Sequence, residues 1–135
     1  MADTMQFDLV SPERKLASVA AKAVRIPGAE GDMTAMPGHA PTLTTLRPGI
    51  VAVETDAGEE RFVVTGGFAE IGAEGVSVLA EKGMGTVDFT QEIYGEMITD
   101  ARRALDEAPQ EHMDMLAKAV ADLQALATEN GLRAD

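Results

Sequence analysis

Three Pro-Gly pairs, Pro27-Gly28, Pro37-Gly38 and Pro48-Gly49, divide the first half of this chain at intervals of ten and eleven residues. Proline fixes φ and donates no backbone hydrogen bond, and glycine tolerates positive φ, so each pair is expected to mark a turn. Turns at this spacing leave room only for short strands, the rhythm of an antiparallel sandwich or barrel. The pattern then stops. Eleven of the 13 glycines and five of the six prolines precede residue 86. The sequence therefore predicts an α+β chain: a β half over residues 1–86 and a helical half over 87–135.

Within the β half, Met5-Gln6-Phe7-Asp8-Leu9 alternates apolar and polar as a half-buried strand does. Further strands are expected over Leu16–Ile26, Ile50–Val53, Arg61–Val64, Phe68–Ile71 and Val76–Leu79. Asp56-Ala57-Gly58 and Ala73-Glu74-Gly75 supply hairpin-type turns, and Gly66-Gly67 permits a sharp bend. Eight to ten short strands with local connections would bury their inward faces as an antiparallel two-sheet sandwich or flattened barrel.

Two helices are expected beyond. Asp88 is placed to cap the first, with Gln91 as its reciprocal partner three residues on. Ile93, Met97, Ala101, Ala104 and Ala108 form its apolar stripe, widened by Tyr94, Ile98 and Leu105. Pro109 suits the first turn of a second helix striped by Met113, Leu116, Val120, Leu123 and Leu126, and Gly131 is a natural stop. A short break between two such helices makes an antiparallel hairpin.

Composition excludes several functions. A net charge of −12 would be repelled by nucleic-acid backbones and anionic lipid surfaces, and aromatic residues for stacking make up only 4%. The absence of cysteine rules out disulfides, thiol nucleophiles and thiolate metal sites. No apolar run approaches the ~18–20 residues of a membrane span, and the opening MADTMQFDLV has neither a basic n-region nor an apolar h-region. The expectation is a cytoplasmic chain without direct lipid insertion.

No catalytic constellation stands out. The two histidines, His39 and His112, lie in different halves, and none of Ser11, Ser18 and Ser77 sits in a Gly-x-Ser-x-Gly turn. Glu59-Glu60 and Asp106-Glu107 flank predicted breaks, where solvated turns explain them. Gly66-Gly67 has no following helix to bind a phosphate, and Gly83-Met84-Gly85 lacks the third glycine of a dinucleotide fingerprint. No histidine-carboxylate cluster has metal-ligand spacing, and no cofactor is expected. His39, between Gly38 and Ala40-Pro41, stands on a constrained loop, where it either bonds a loop carbonyl or lies on a contact surface.

Five ordered stretches point to one family. They are Phe7–Glu13 (FDLVSPE), Pro27–Asp32 (PGAEGD), Met36–Pro41 (MPGHAP), Leu46–Gly49 (LRPG) and Gly66–Glu70 (GGFAE), followed by the two-helix tail. In these the chain resembles the epsilon subunits of bacterial F-type ATP synthases, called delta in mitochondria. The resemblance implies a sandwich carrying a helical hairpin, and a non-catalytic rotor part peripheral to the cytoplasmic face of the inner membrane. It implies partners as well: the gamma subunit of the central stalk, the membrane c-ring and, transiently through the hairpin, the alpha and beta subunits. Carried over by position, Glu30, Gly31, Asp32 and His39 lie on loops facing the ring and the foot of the stalk.

Two departures concern the hairpin. The family's ATP-binding motif, Ile/Leu-Asp-x-x-Arg-Ala, here reads Val87-Asp88-Phe89-Thr90-Gln91-Glu92, so the aspartate is kept and the arginine and alanine are lost. A nucleotide contact would fall to Asp88 with Arg102 and Arg103, and the altered motif argues against ATP as a regulatory ligand. From residue 87 onward four basic residues face eleven acidic ones, a net charge of −7. The family's inhibitory contact needs basic residues there, so this hairpin is expected to inhibit hydrolysis weakly or not at all. A stand-alone nucleotide-sensing domain is the rival reading.

Overall fold

The computed structural model describes residues 4–135. The chain divides into two compact units, one ending at Gly85 and one starting at Thr86. Among the described residues the first unit holds eight strands: β1 (Met5–Val10), β2 (Lys15–Ala21), β3 (Ala23–Gly28), β4 (Gly31–Ala35), β5 (Thr42–Thr45), β6 (Gly49–Thr55), β7 (Gly58–Ile71) and β8 (Gly75–Gly85). They hydrogen-bond in the order β2-β1-β8-β7-β6-β3-β4, with β5 also on β7. One core of Phe7, Leu9, Val24, Ile26, Val51, Val53, Phe62, Val64, Ile71, Val76 and Val78 lies between the layers of this sandwich.

The long strands β7 and β8 pair with each other and run through both layers. Before the Gly66-Gly67 pair β7 bonds β6, and after it β7 bonds β5. Gly66 and Gly67 have φ of 64° and 95°, a conformation costly for any residue with a Cβ. A Cβ on Gly67 would also lie 1.9 Å from the Leu79 carbonyl oxygen. This corner changes the phase of the strand. Phe62 and Val64 face the core before it, Ala69 and Ile71 after it.

Three features differ from the sequence expectation. First, β1 pairs with β8 in parallel, Phe7 opposite Val76 and Leu9 opposite Val78, although every other pairing is antiparallel. Second, the strand expected over Leu16–Ile26 breaks at Lys22. Ala21 and Val24 are both wholly buried, a spacing of three that no straight strand can turn toward one face. The bend hands the chain from β1's neighbour to β6's neighbour. Third, the Pro-Gly-rich stretch, expected to supply turns, also supplies β4 and β5.

Of the three Pro-Gly pairs, only Pro37-Gly38 uses the freedom of glycine. Gly38, at φ 86°, is the third residue of a turn closed by the His39 N–H donating to the Met36 carbonyl at 3.0 Å, the geometry of a type II turn. Gly28 and Gly49 lie in strands without positive φ. There the missing side chain matters: a Cβ on Gly28 would meet the Gly31 carbonyl oxygen at 2.7 Å.

The second unit holds α1 (Gln91–Asp106) and α2 (Met113–Glu129), packed against each other. The expected Asp88–Gln91 cap is replaced. Asp88 ends a short 3-10 turn, and Thr90 caps α1 by accepting from the Ile93 N–H at 3.2 Å. Thr90 takes the cap two residues later and satisfies an orphan donor of the first turn, while Phe89 between them is buried and packs edge-on to Tyr94 with ring centroids 6.2 Å apart. Pro109 precedes a 3-10 turn, Gln110–His112, and not α2 itself. Gly131 ends α2 as expected: at φ 76° it lets its own N–H reach the Thr128 carbonyl and the Leu132 N–H reach the Ala127 carbonyl.

Burial in the hairpin is uneven. Tyr94, Met97 and Ile98 of α1 and Leu123, Leu126 and Ala127 of α2 are buried. The expected stripe members Ala104 and Met113, near the connecting loop, are exposed.

Candidate interaction surface

Ala29 and Glu30 form the two-residue turn between β3 and β4, with Gly28 paired to Gly31 and Pro27 to Asp32. Glu30, Gly31 and Asp32 are all exposed. Asp32 is ion-paired to Arg47. The Arg47 N–H also donates to the Pro27 carbonyl at 3.0 Å, and the Ala29 N–H to the Thr45 carbonyl at 2.8 Å. The acidic turn is thus braced against the segment that leads from β5 into β6.

His39 closes the turn beyond β4. Its Nδ1 lies 2.7 Å from the Ala40 carbonyl oxygen. A carbonyl only accepts, so Nδ1 is the donor in this bond. The Gly38 N–H donates to the Ala73 carbonyl at 3.2 Å, tying this turn to the one between β7 and β8. The residues singled out from the sequence thus form two groups and not one cluster. Glu30, Gly31 and Asp32 lie at the start of β4, and His39 follows its end after about 13 Å of extended chain.

The most conspicuous surface was not singled out from the sequence. Phe68 and Leu79 face each other across β7 and β8, and each is 42% exposed. The same row continues to Val10 on β1, opposite Leu79, and to Thr45 on β5, opposite Phe68. Leu43, two residues along β5, is 68% exposed on that face. Beside the apolar row runs a polar one: Asp8, Ser77 and Glu70 in register, with Leu43 opposite Glu70. An open groove there is lined by Gln6, Asp8, Leu43, Glu70, Glu74 and Ser77. One signal for this face was present in the sequence. In Val76-Ser77-Val78-Leu79-Ala80 the bulky Leu79 is out of phase with the two valines.

The residues considered for nucleotide contact are dispersed. Asp88 lies before α1, whereas Arg102 is eleven residues beyond Gln91, about 16 Å further along the helix axis. Arg103 pairs with Asp100 on its own helix at 3.4 Å. Among the described residues no three His, Cys, Asp or Glu side chains are grouped to hold a metal ion, and no helix is long and apolar enough to cross a membrane.

Comparison with known proteins decides the family. The model of the ATP synthase delta/epsilon chain β-sandwich domain matches residues 4–85. The chain belongs to the ATP synthase epsilon-chain family. It is 54% identical over 132 residues to the ATP synthase epsilon chain of Rhodobacter capsulatus, covering 98% of this chain and 100% of that one. It is 56% identical over 137 residues to the epsilon chain of Ruegeria sp. (strain TM1040), with the same coverage. Among solved structures, a chain of the Euglena gracilis mitochondrial ATP synthase, from a cryo-EM structure of OSCP/F1/c-ring, matches with a TM-score of 0.72 and 22% identity. That match covers 94% of this chain and 81% of the Euglena chain. A chain of the Tetrahymena thermophila mitochondrial ATP synthase, central stalk/c-ring, matches with a TM-score of 0.53 and 15% identity, over 85% and 95%. At such identities the likeness is one of fold. As an epsilon-family member the chain is a subunit of ATP synthase. Its sandwich is the region that the family model describes.

Proposed function

We propose that this epsilon chain is a non-catalytic part of the rotor, which joins the gamma subunit and the c-ring and so couples ring rotation to ATP synthesis in the catalytic head. The observation that carries the reading is the in-register apolar row Val10, Leu79 and Phe68 on the outer face of the sandwich. Large apolar side chains aligned across three strands return free energy, at about 25 cal/mol per Å², only when a partner covers them. Gamma is the partner assigned to this face. The braced turns at Glu30-Gly31-Asp32 and at His39 are assigned to the ring and the foot of the stalk. Both are tied by backbone hydrogen bonds to neighbouring strands or turns, which suits contacts that must hold under torque.

On this reading the chain is peripheral to the cytoplasmic face of the inner membrane and takes no cofactor. The hairpin touches alpha and beta only transiently. Its net charge of −7 disfavours a lasting hold on acidic surfaces. The separation of Asp88 from Arg102 and Arg103 supports the view that ATP is not its ligand and counts against a stand-alone nucleotide sensor.

The test is co-purification of the tagged chain from gently solubilised membranes of its own cells. Recovery with alpha, beta, gamma and the c-ring is expected. Recovery of the chain alone, from cells whose ATP synthase survives the procedure intact, would overturn the assignment.

A further inference from the structure

The chain does not fray after α2. Gly131 turns it back, and the residues that follow cross the first turns of α1. The Gln91 side-chain amide bonds both main-chain groups of Arg133: its Nε2 donates to the Arg133 carbonyl at 2.9 Å, and its Oε1 accepts from the Arg133 N–H at 2.9 Å. One turn on, the Tyr94 hydroxyl donates to the Ala134 carbonyl. The Tyr94 ring is wholly buried. Leu132 is fixed from the other side, its N–H on the Ala127 carbonyl at 2.9 Å.

These bonds occupy a particular place. The two helices are joined covalently through the loop after α1. At that end Ala104, Met113 and Met115 are exposed, so little packing holds the helices together there. The buried side chains, Tyr94, Met97, Ile98, Leu123, Leu126 and Ala127, gather toward the other end, where α1 begins and α2 finishes. That open end has no covalent link. It is spanned by the tail.

We infer that residues 132–135 are a clasp whose release is required before the helices of the hairpin can separate. This deepens the reading of the hairpin given above but does not depend on the gamma assignment, because the clasp is made wholly within residues 91–134. Among the described residues no other hydrogen-bonded tie of this length spans the open end of the hairpin: Gln91 and Arg133 are 42 positions apart in sequence, and Tyr94 and Ala134 are 40 apart. Each such bond alters an opening equilibrium by roughly fivefold. A partner that lodged between the helices would have to displace the tail first.

The experiment is amide hydrogen exchange on the full chain, read peptide by peptide, for wild type, Gln91→Ala, Gln91→Glu and a chain ended after Gly131. Loss of the clasp is expected to speed exchange at least about tenfold in α1 residues 91–98 and α2 residues 123–130. The sandwich peptides should not change. Gln91→Glu keeps the acceptor for the Arg133 N–H and loses the donor, so its effect should fall between wild type and Gln91→Ala. Exchange in the hairpin within twofold of wild type, for both the truncated chain and Gln91→Ala, would overturn the proposal. So would an equal rise in sandwich and hairpin, which would mean general destabilisation and no clasp. Failure of the rotor assignment would leave these rates untouched, so the two ideas are tested apart.

Discussion

Gly49 lies directly against Pro27: a Cβ on Gly49 would stand 2.6 Å from the Pro27 Cβ. Pro27 is buried near the end of β3, and its ring cannot rotate out of the way. Gly49→Ala should therefore cost about 1–3 kcal/mol, the usual range for overpacking. Gly38→Ala meets nothing within 4 Å and bears only the strain of its φ of 86°, about 1 kcal/mol. Urea unfolding followed by circular dichroism separates the two, and equal losses would contradict the packing argument.

Two neighbouring polar residues compete to start α1, and the structure gives the role to Thr90. Thr90→Ala should cost the hairpin about 1 kcal/mol. Asp88→Ala should stay within about 0.5 kcal/mol, as surface changes do. Hydrogen exchange in the first turn of α1 would distinguish them, and the reverse order would restore Asp88 as the cap.

Tyr94 makes the hairpin sensitive to alkali. Burial raises its phenol above the ordinary value of 10.0, with nearby Arg102 lowering it and Asp135 raising it. A raised pKa means that the folded hairpin keeps the proton longer than the unfolded chain does. Its contribution to stability is therefore whole below pH 10 and is lost as pH rises through the folded value. Tyr94 is the chain's one tyrosine and tryptophan is absent, so its ultraviolet absorbance titrates without interference. Helicity should fall together with phenol ionisation, and Tyr94→Phe should abolish that linked loss.

The outer face of the sandwich predicts a split between stability and assembly. Phe68→Ser with Leu79→Ser should change the chain's own stability by less than about 1 kcal/mol, since both side chains are already partly in water. Binding to purified gamma should weaken at least about tenfold, as for exposed apolar residues at the centre of an interface. Unchanged affinity in a titration would remove this face from the gamma contact.

The acidic hairpin predicts little inhibition. Removal of residues 87–135 from the reconstituted complex should change ATP hydrolysis by less than about twofold, because a tail of net −7 is not drawn to an acidic partner surface. A severalfold rise in hydrolysis would show that the hairpin inhibits despite its charge.

By itself, the sequence determined what depends on neighbours along the chain. Turns at Pro37-Gly38 and Asp56-Ala57-Gly58, the alternation of Met5 to Leu9, the helical periodicity after residue 90 and the stop at Gly131 all arise from φ/ψ preference or from the period of a single element. These suffice for an α+β chain with a sandwich and a hairpin. The tertiary structure alone decided what depends on partners remote in sequence. The parallel pairing of β1 with β8 joins Phe7 to Val76, and no local rule relates residues so far apart. The bend at Lys22 became necessary only once Ala21 and Val24 had to face the same core. The choice of Thr90 over Asp88 went with the burial of Phe89 between them. Above all, the exposure of Phe68 followed from the phase change at Gly66-Gly67. Hydrophobicity says that a side chain gains by leaving water, but only the path of the backbone decides which face of a strand it leaves from.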